Sequence, residues 1–227
     1  MKKILFHTLM VLIIAVMAVG CKKHTVIDPD PNPIDTLLRV GNIYCKDGRV
    51  IDPYTYNAQG MTNAIGVIFW VNDSLDVEDR AYMVSLHDSW PCFWCDTMIS
   101  TGVSTSITAF DGAANTSTLK TFELRYGHPV YPMHSATQYS DEDVYSWYLP
   151  SVAQLTEIFR NKDEVYHAFS NCNGDTFNSI WYWSSTEDND GPESKKYNAY
   201  IVTLKEGNIQ AASKMDRYAV RPIKTIK

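Results

Sequence analysis

The fold is decided by three segments, Trp147-Tyr-Leu-Pro-Ser151, Tyr182-Trp-Ser-Ser-Thr-Glu187 and Val220-Arg-Pro-Ile223. The first leads into a helix, because Ser151 can accept a hydrogen bond from the amide of Gln154 while the Gln154 side chain reaches back. Apolar residues then recur at helical spacing, which predicts a helix that buries Val152 and Leu155. The second and third segments are short runs of aromatic and β-branched residues, which predict two strands. In the first of these strands Trp181 and Trp183 alternate with Tyr182, which predicts that one face is buried. The last strand carries Arg221, whose expected ion-pair partner is Glu187.

The predicted elements run in the order strands, helices, strands. Short β-branched or aromatic runs between turn residues predict the early and the late strands. Between them, capping residues and apolar spacing predict helices near 111–124 and 163–170 in addition to the one after Ser151. This order predicts an α+β fold with a mainly antiparallel sheet, two or three helices and long loops.

Further phrases along the chain strengthen a family resemblance: Val40-Gly-Asn-Ile-Tyr44, Ala64-Ile-Gly-Val67 and Asp111-Gly-Ala-Ala-Asn-Thr116. Together with the three opening segments they resemble the Lcl C-terminal domain family, which is named for a collagen-like adhesin and is common in lipoproteins of gut anaerobes. The resemblance covers about residues 38 to 223. It implies a C-type-lectin-like fold, with helices on a twisted, mainly antiparallel sheet and long loops at one end.

The N-terminus has the pattern of a bacterial export signal. A basic start, an apolar run and small residues precede Cys21, and the arrangement resembles a lipobox. We therefore expect a lipoprotein signal peptide over 1–20 and acylation of Cys21, which would tether the protein to a membrane. A proline-rich stretch over 21–35 predicts a semi-rigid stalk, and 36–227 the folded domain. The alternative is an ordinary secretory signal with an incidental cysteine.

Composition narrows the class of partner. The formal net charge is −6, which argues against nucleic acid as a partner. The chain has no Gly-x-Ser-x-Gly elbow, Walker loop or dinucleotide fingerprint, so we expect no enzyme and no cofactor, with calcium as the alternative left open. The predicted partners are the membrane, through the lipid anchor, and a glycan or surface protein.

The cysteines after Cys21 leave three readings open. Cys45, Cys92, Cys95 and Cys172 are candidates for two disulfides, with three possible connectivities. The Cys92-Phe-Trp-Cys95 pair is also compatible with an exported thiol-disulfide enzyme, which needs a stabilised thiolate. A zinc site that joins this pair to His87, His128 or His134 is the third reading.

Two segments are candidates for ligand binding. Phe93 and Trp94 lie in a predicted loop, where they could form an exposed aromatic contact or cover the core under that loop. We expect the acidic 187–193 loop to be solvated, and the alternative is a calcium site, because its carboxylates offer the oxygen ligands that calcium prefers. The acidic candidates are Glu187, Asp188, Asp190 and Glu193.

The sequence as a whole predicts an outer-membrane lipoprotein, exposed at the cell surface, with a non-catalytic domain for adhesion or for glycan or protein recognition. One alternative is a thiol-disulfide enzyme that uses Cys92 and Cys95. The other alternative is a structural subunit of a surface assembly.

Overall fold

The structure is a computed structural model that describes residues 38–72, 74, 78–139, 146–191 and 193–227. The predicted signal peptide, the Cys21 acylation site and the 21–35 stalk lie outside the described residues. Among the described residues, no helix combines the length and the apolar character that crossing a membrane requires.

Ten strands occur in the described part of the chain: β1 (Ile43–Cys45), β2 (Val50–Ile51), β3 (Ala64–Val71), β4 (Ala81–Ser85), β5 (Ser89–Cys92), β6 (Tyr182–Glu187), β7 (Asn198–Val202), β8 (Ile209–Ser213), β9 (Tyr218–Val220) and β10 (Ile223–Ile226). The same residues form six helices: α1 (Pro53–Ala58), α2 (Gly112–Tyr126), α3 (Tyr131–Thr137), α4 (Val152–Arg160), α5 (Lys162–Cys172) and α6 (Ser194–Tyr197). The prediction of an α+β fold is confirmed.

The strands form two five-stranded sheets, in the orders β10-β4-β3-β1-β2 and β5-β9-β6-β7-β8. Neighbouring strands are antiparallel except β6 and β9, which run parallel with Tyr182 opposite Ala219. The mainly antiparallel character was predicted correctly, whereas the expectation of a single sheet was wrong. The division occurs because β9 ends at Val220 and β10 begins at Ile223, so the closing segment serves both sheets.

The expectation of two or three helices was also wrong. The additional helices α1, α3 and α6 have only four to seven residues, which is too short for an apolar period to be recognised. Local capping explains α1, where proline occupies the first turn and Asp52 accepts from the Thr55 amide at 2.9 Å.

The predicted start of α4 is confirmed in detail. The Gln154 amide donates to Ser151 Oγ at 3.4 Å, and the Ser151 amide donates to Gln154 Oε1 at 3.0 Å, which completes a capping box. Val152 and Leu155 are buried as expected. They belong to the largest cluster of buried apolar residues, which also contains residues of both sheets. This cluster includes Tyr182 of β6, so the first two deciding segments meet in one core.

Strand β6 differs from its prediction in one respect. Alternating aromatic residues suggested that only one face would be buried, yet all six residues of the strand are buried. The reason is its position between β9 and β7, with helices α2 and α4 in contact with it. Trp181 precedes the strand and is only half-buried.

Candidate functional site

The segment 89–95 lies at one end of the second sheet, where β5 forms the outermost strand. β5 pairs with β9, with Ser89 opposite Val220 and Cys92 opposite Tyr218, and the register is irregular between these two points. Pro91 falls inside this irregular stretch. A proline has no amide hydrogen to donate, so it is compatible with an outer strand and not with a central one.

Two tryptophan side chains hold this segment against β6. Trp94 Nε1 donates to the Ser184 carbonyl at 3.0 Å, and Trp183 Nε1 donates to the Cys92 carbonyl at 2.8 Å. Both indoles are fully buried, so each hydrogen bond satisfies a group that would otherwise lose its partner in the core. The prediction of Trp94 as an exposed ligand contact was therefore wrong, and the alternative that it covers the core is correct.

A buried lysine lies beneath Trp94. Lys214 Nζ is 4.6 Å from the centre of the Trp94 ring and donates to the carbonyls of Ile99 and Lys195 at 2.8 and 2.9 Å. The same ammonium group lies 2.6 Å from Glu187 Oε1, and both side chains are completely buried. Burial lowers the pKa of Lys214, while the neighbouring Glu187 carboxylate opposes that shift.

The Glu187 carboxylate is occupied by protein donors. Its oxygens accept from Ser100 Oγ at 2.8 Å, from the Thr101 amide at 2.8 Å and from Thr101 Oγ1 at 3.0 Å, in addition to Lys214. The expected Glu187–Arg221 ion pair is absent. Arg221 instead donates to Asp88 Oδ1 at 2.7 Å, so Glu187 and Arg221 belong to two separate ion pairs; Arg221 is fully buried and Asp88 is partly exposed.

The other acidic candidates point in different directions. Asp188 is almost completely buried and accepts from the Asp190 amide at 3.1 Å, whereas Asp190 itself is exposed. Glu193 forms a surface ion pair with Lys196. Among the described residues, no group of three or more histidine, cysteine, aspartate or glutamate side chains is arranged to hold a metal ion. Calcium binding by this loop stays a prediction.

The four described cysteines are free thiols in the structure, and their pairing in disulfides stays a prediction. Burial raises the pKa of Cys92 to about 11, and burial likewise raises the pKa of Cys95. A catalytic thiol needs a lowered pKa, so neither environment favours a thiolate at neutral pH. The histidines considered for zinc are each engaged by a carboxylate: His87 by Asp175, His128 by Asp96 and His134 by Glu123.

The solvent-accessible side chains of the same segment have a different character. Trp90 is 90% exposed, which is exceptional for the largest apolar side chain, and Pro91 beside it is also exposed. Phe93 is half-buried, and the Arg217 guanidinium carbon lies 4.4 Å from the centre of its ring. We call the set Trp90, Pro91, Phe93 and Arg217 the aromatic surface. Phe93 is the ligand-contact candidate from the sequence that remains accessible there.

No protein-family model matches the chain, and no curated protein is significantly similar to it. The resemblance to the Lcl C-terminal domain family therefore rests on the quoted motifs.

Trp90 is the surface residue that sequence reasoning missed. The proline that follows Trp90 could have indicated its exposure. Proline restricts a strand to the edge of a sheet, where a side chain can face solvent. Trp94, four residues later, looks equally accessible in the sequence. Its burial depends on the Ser184 carbonyl and on Lys214, which are far away along the chain.

Proposed function

We propose that this protein is a surface-anchored lipoprotein whose domain is a non-catalytic binding module, and that the aromatic surface contacts the bound glycan or protein. The observation that carries the proposal is the 90% exposure of Trp90. Large exposed apolar side chains at the surface of a folded domain mark interaction sites, and tryptophan and arginine are the residue types enriched among the strongest contacts.

The energetics support a contact role for Trp90. Covering a tryptophan side chain removes roughly 150 to 250 Å² from water, which stabilises a complex by on the order of 4 to 6 kcal/mol before the costs of association. The surrounding backbone is held in place by the indole hydrogen bonds of Trp94 and Trp183. A surface that is already ordered loses little conformational entropy on binding.

The lipid anchor and the lectin-like architecture belong to the same proposal. Acylation of Cys21 would hold the domain at the outer membrane, and the 21–35 stalk would lift it toward its partner. The two sheets with long connecting loops are compatible with the C-type-lectin-like fold that the resemblance implies. Mass spectrometry of the mature N-terminus tests the anchor, because an unacylated Cys21 rules it out.

The binding proposal is tested with three proteins: the unmodified chain, Trp90→Ala and Tyr54→Ala. Tyr54 is the matched control, since it is an aromatic residue that is 80% exposed but belongs to helix α1. A glycan array identifies a carbohydrate ligand, and cross-linking on intact cells followed by mass spectrometry identifies a protein ligand.

For whichever ligand is found, we expect Trp90→Ala to weaken binding by at least about thirtyfold, as for a central contact residue. Tyr54→Ala should bind like the unmodified chain. Equal affinity of Trp90→Ala and the unmodified chain would remove the aromatic surface from the proposal. Enzymatic turnover of the ligand would contradict the non-catalytic assignment.

A further inference from the structure

We infer that the protein has a second binding site, a groove along helix α2 that accepts an acidic sugar of the uronic acid type. The groove has a volume of about 350 Å³ and lies between the helix and the 101 region. Its lining residues are Thr101, Ser117, Thr118, Thr121, Phe122, Arg125 and Tyr126. The volume falls in the range of small-ligand sites, about 300 to 1,000 Å³. The site is separate from the aromatic surface and does not depend on it.

The hydroxyl groups of this groove are arranged as acceptors. Ser117 donates its hydroxyl proton to the Ala113 carbonyl at 3.2 Å, and Thr118 and Thr121 donate to the helix carbonyls four residues before them at 3.1 and 3.0 Å. Thr101 donates to Glu187 at 3.0 Å. Because a hydroxyl has one proton and two lone pairs, each of these oxygens can still accept a hydrogen bond but has no proton left to give.

Arg125 supplies the positive charge among the residues that line the groove. The Arg125 guanidinium carbon lies 5.3 Å from the centre of the Tyr126 ring, and the guanidinium forms no salt bridge with any carboxylate of the described residues. The Tyr126 ring, half-exposed, packs on the buried Phe122 at 5.2 Å between ring centres. The groove therefore offers a guanidinium fork and an aromatic wall on a firm base.

The chemistry of these groups selects the ligand class. Lone pairs on four hydroxyl oxygens require a ligand with several hydroxyl donors, which phosphate and sulfate dianions do not have. The guanidinium requires an anionic group, and a carboxylate matches its paired N–H donors. An apolar ring face suits the aromatic wall. A hexuronic acid combines hydroxyl donors, one carboxylate and an apolar ring face in a single residue.

The test is a titration of the full chain with three probes. Binding is monitored through the backbone amide signals of α2 in heteronuclear NMR spectra. The probes are sodium glucuronate, glucose and inorganic phosphate. Glucose differs from glucuronate only in the group at carbon 6, so the pair isolates the carboxylate. We expect glucuronate to shift the signals of residues 117–126 with a dissociation constant in the millimolar range. Glucose should bind roughly tenfold more weakly, and phosphate should leave these signals unchanged.

Amino-acid substitutions test which side chains of the groove bind the sugar. Arg125→Gln should lower the affinity for glucuronate about tenfold and leave glucose unaffected, because only the charged contact is lost. Thr121→Val should weaken both sugars. Lys120→Gln is the matched control, since Lys120 is an exposed cation of the same helix that lines a different groove.

The outcomes separate this site from the aromatic surface. Retention of glucuronate binding by Trp90→Ala supports two independent sites, whereas its loss in that variant would overturn the assignment to α2. An equal loss in Arg125→Gln and Lys120→Gln would also overturn it, because it would show general attraction of an anion to a basic helix. If phosphate shifts the signals of the same residues, the proposal of a sugar ligand is wrong and the site binds simple anions.

Discussion

Replacement of Lys214 by methionine tests the buried ion pair between Lys214 and Glu187, which lies beneath Trp94. The side chains of Lys214 and Glu187 are fully inaccessible to solvent, and the ammonium group reaches three acceptors: the Glu187 carboxylate and the carbonyls of Ile99 and Lys195. Methionine has a similar length and fits an apolar environment, so the substitution removes the charge and the three hydrogen bonds with little change in volume.

The expected loss follows from what remains after the substitution. Glu187 keeps its donors from Ser100 and Thr101 but loses its counter-charge, and the breaking of a buried ion pair costs about 3 to 5 kcal/mol. We expect Lys214→Met to lower the free energy of unfolding by about 4 kcal/mol, and Glu187→Gln by about 3 kcal/mol. In the double variant the two losses should overlap by about 2 kcal/mol, because neither buried charge is then present.

The measurement is urea unfolding at neutral pH, followed by tryptophan fluorescence and by circular dichroism so that two-state behaviour is checked. Lys196→Met is the control. Lys196 pairs with Glu193 at the surface, and this variant should unfold at the same urea concentration as the unmodified chain. A loss below about 1 kcal/mol for Lys214→Met, or strictly additive losses in the double variant, would refute the reasoning.

Three further predictions follow. Arg221→Met should destabilise the protein by about 3 kcal/mol in the same urea assay, because Asp88 loses its buried partner. Gly112→Ala should destabilise it by about 2 kcal/mol, since a Cβ atom there would lie 2.3 Å from Gln154 Oε1, and chemical unfolding measures this loss too. The iodoacetamide reaction of native Cys92 should still accelerate above pH 9, because the thiolate forms only near its raised pKa of about 11. A rate that levels off by pH 8, and that is absent from Cys92→Ser, would favour the thiol enzyme.

Local signals in the sequence predicted the parts of the fold that depend on neighbouring residues. The capping box of Ser151 and Gln154 needs only four consecutive residues, and it was correct in both hydrogen bonds. Helix α2 also matched its expected range, with Leu119 and Phe122 buried. The division into two sheets was missed because it depends on the path between Val220 and Ile223, and no local pattern specifies which sheet a strand joins.

The candidate site was predicted only in part, for the same physical reason. The sequence indicated this segment and the accessible Phe93, but it proposed exposure for Trp94, which is buried, and it gave no role to Trp90, which is exposed. Burial of an indole is decided by a distant acceptor, here the Ser184 carbonyl, and not by the neighbours of the tryptophan. The partner of Glu187 was likewise assigned to the wrong cation. Lys214 and Arg221 both lie directly after a strand near the end of the chain, and a charge pattern in the sequence does not distinguish them.

The two buried cations have a common role that explains how this domain holds long loops in place. Lys214 donates to carbonyls in the 99 and 195 regions, and Arg221 donates to the carbonyls of Leu86 and Asp175 at 2.9 Å each. Each cation thus binds two backbone segments that are far apart along the chain and one carboxylate. Lys214 lies against the Trp94 ring, and Arg221 lies against two phenylalanine rings. An apolar residue could fill the same volume but could not specify the position of a carbonyl. We therefore expect the loops beside the aromatic surface to owe their fixed geometry to directional bonds from buried cations, while apolar burial supplies most of the stability of the sheets.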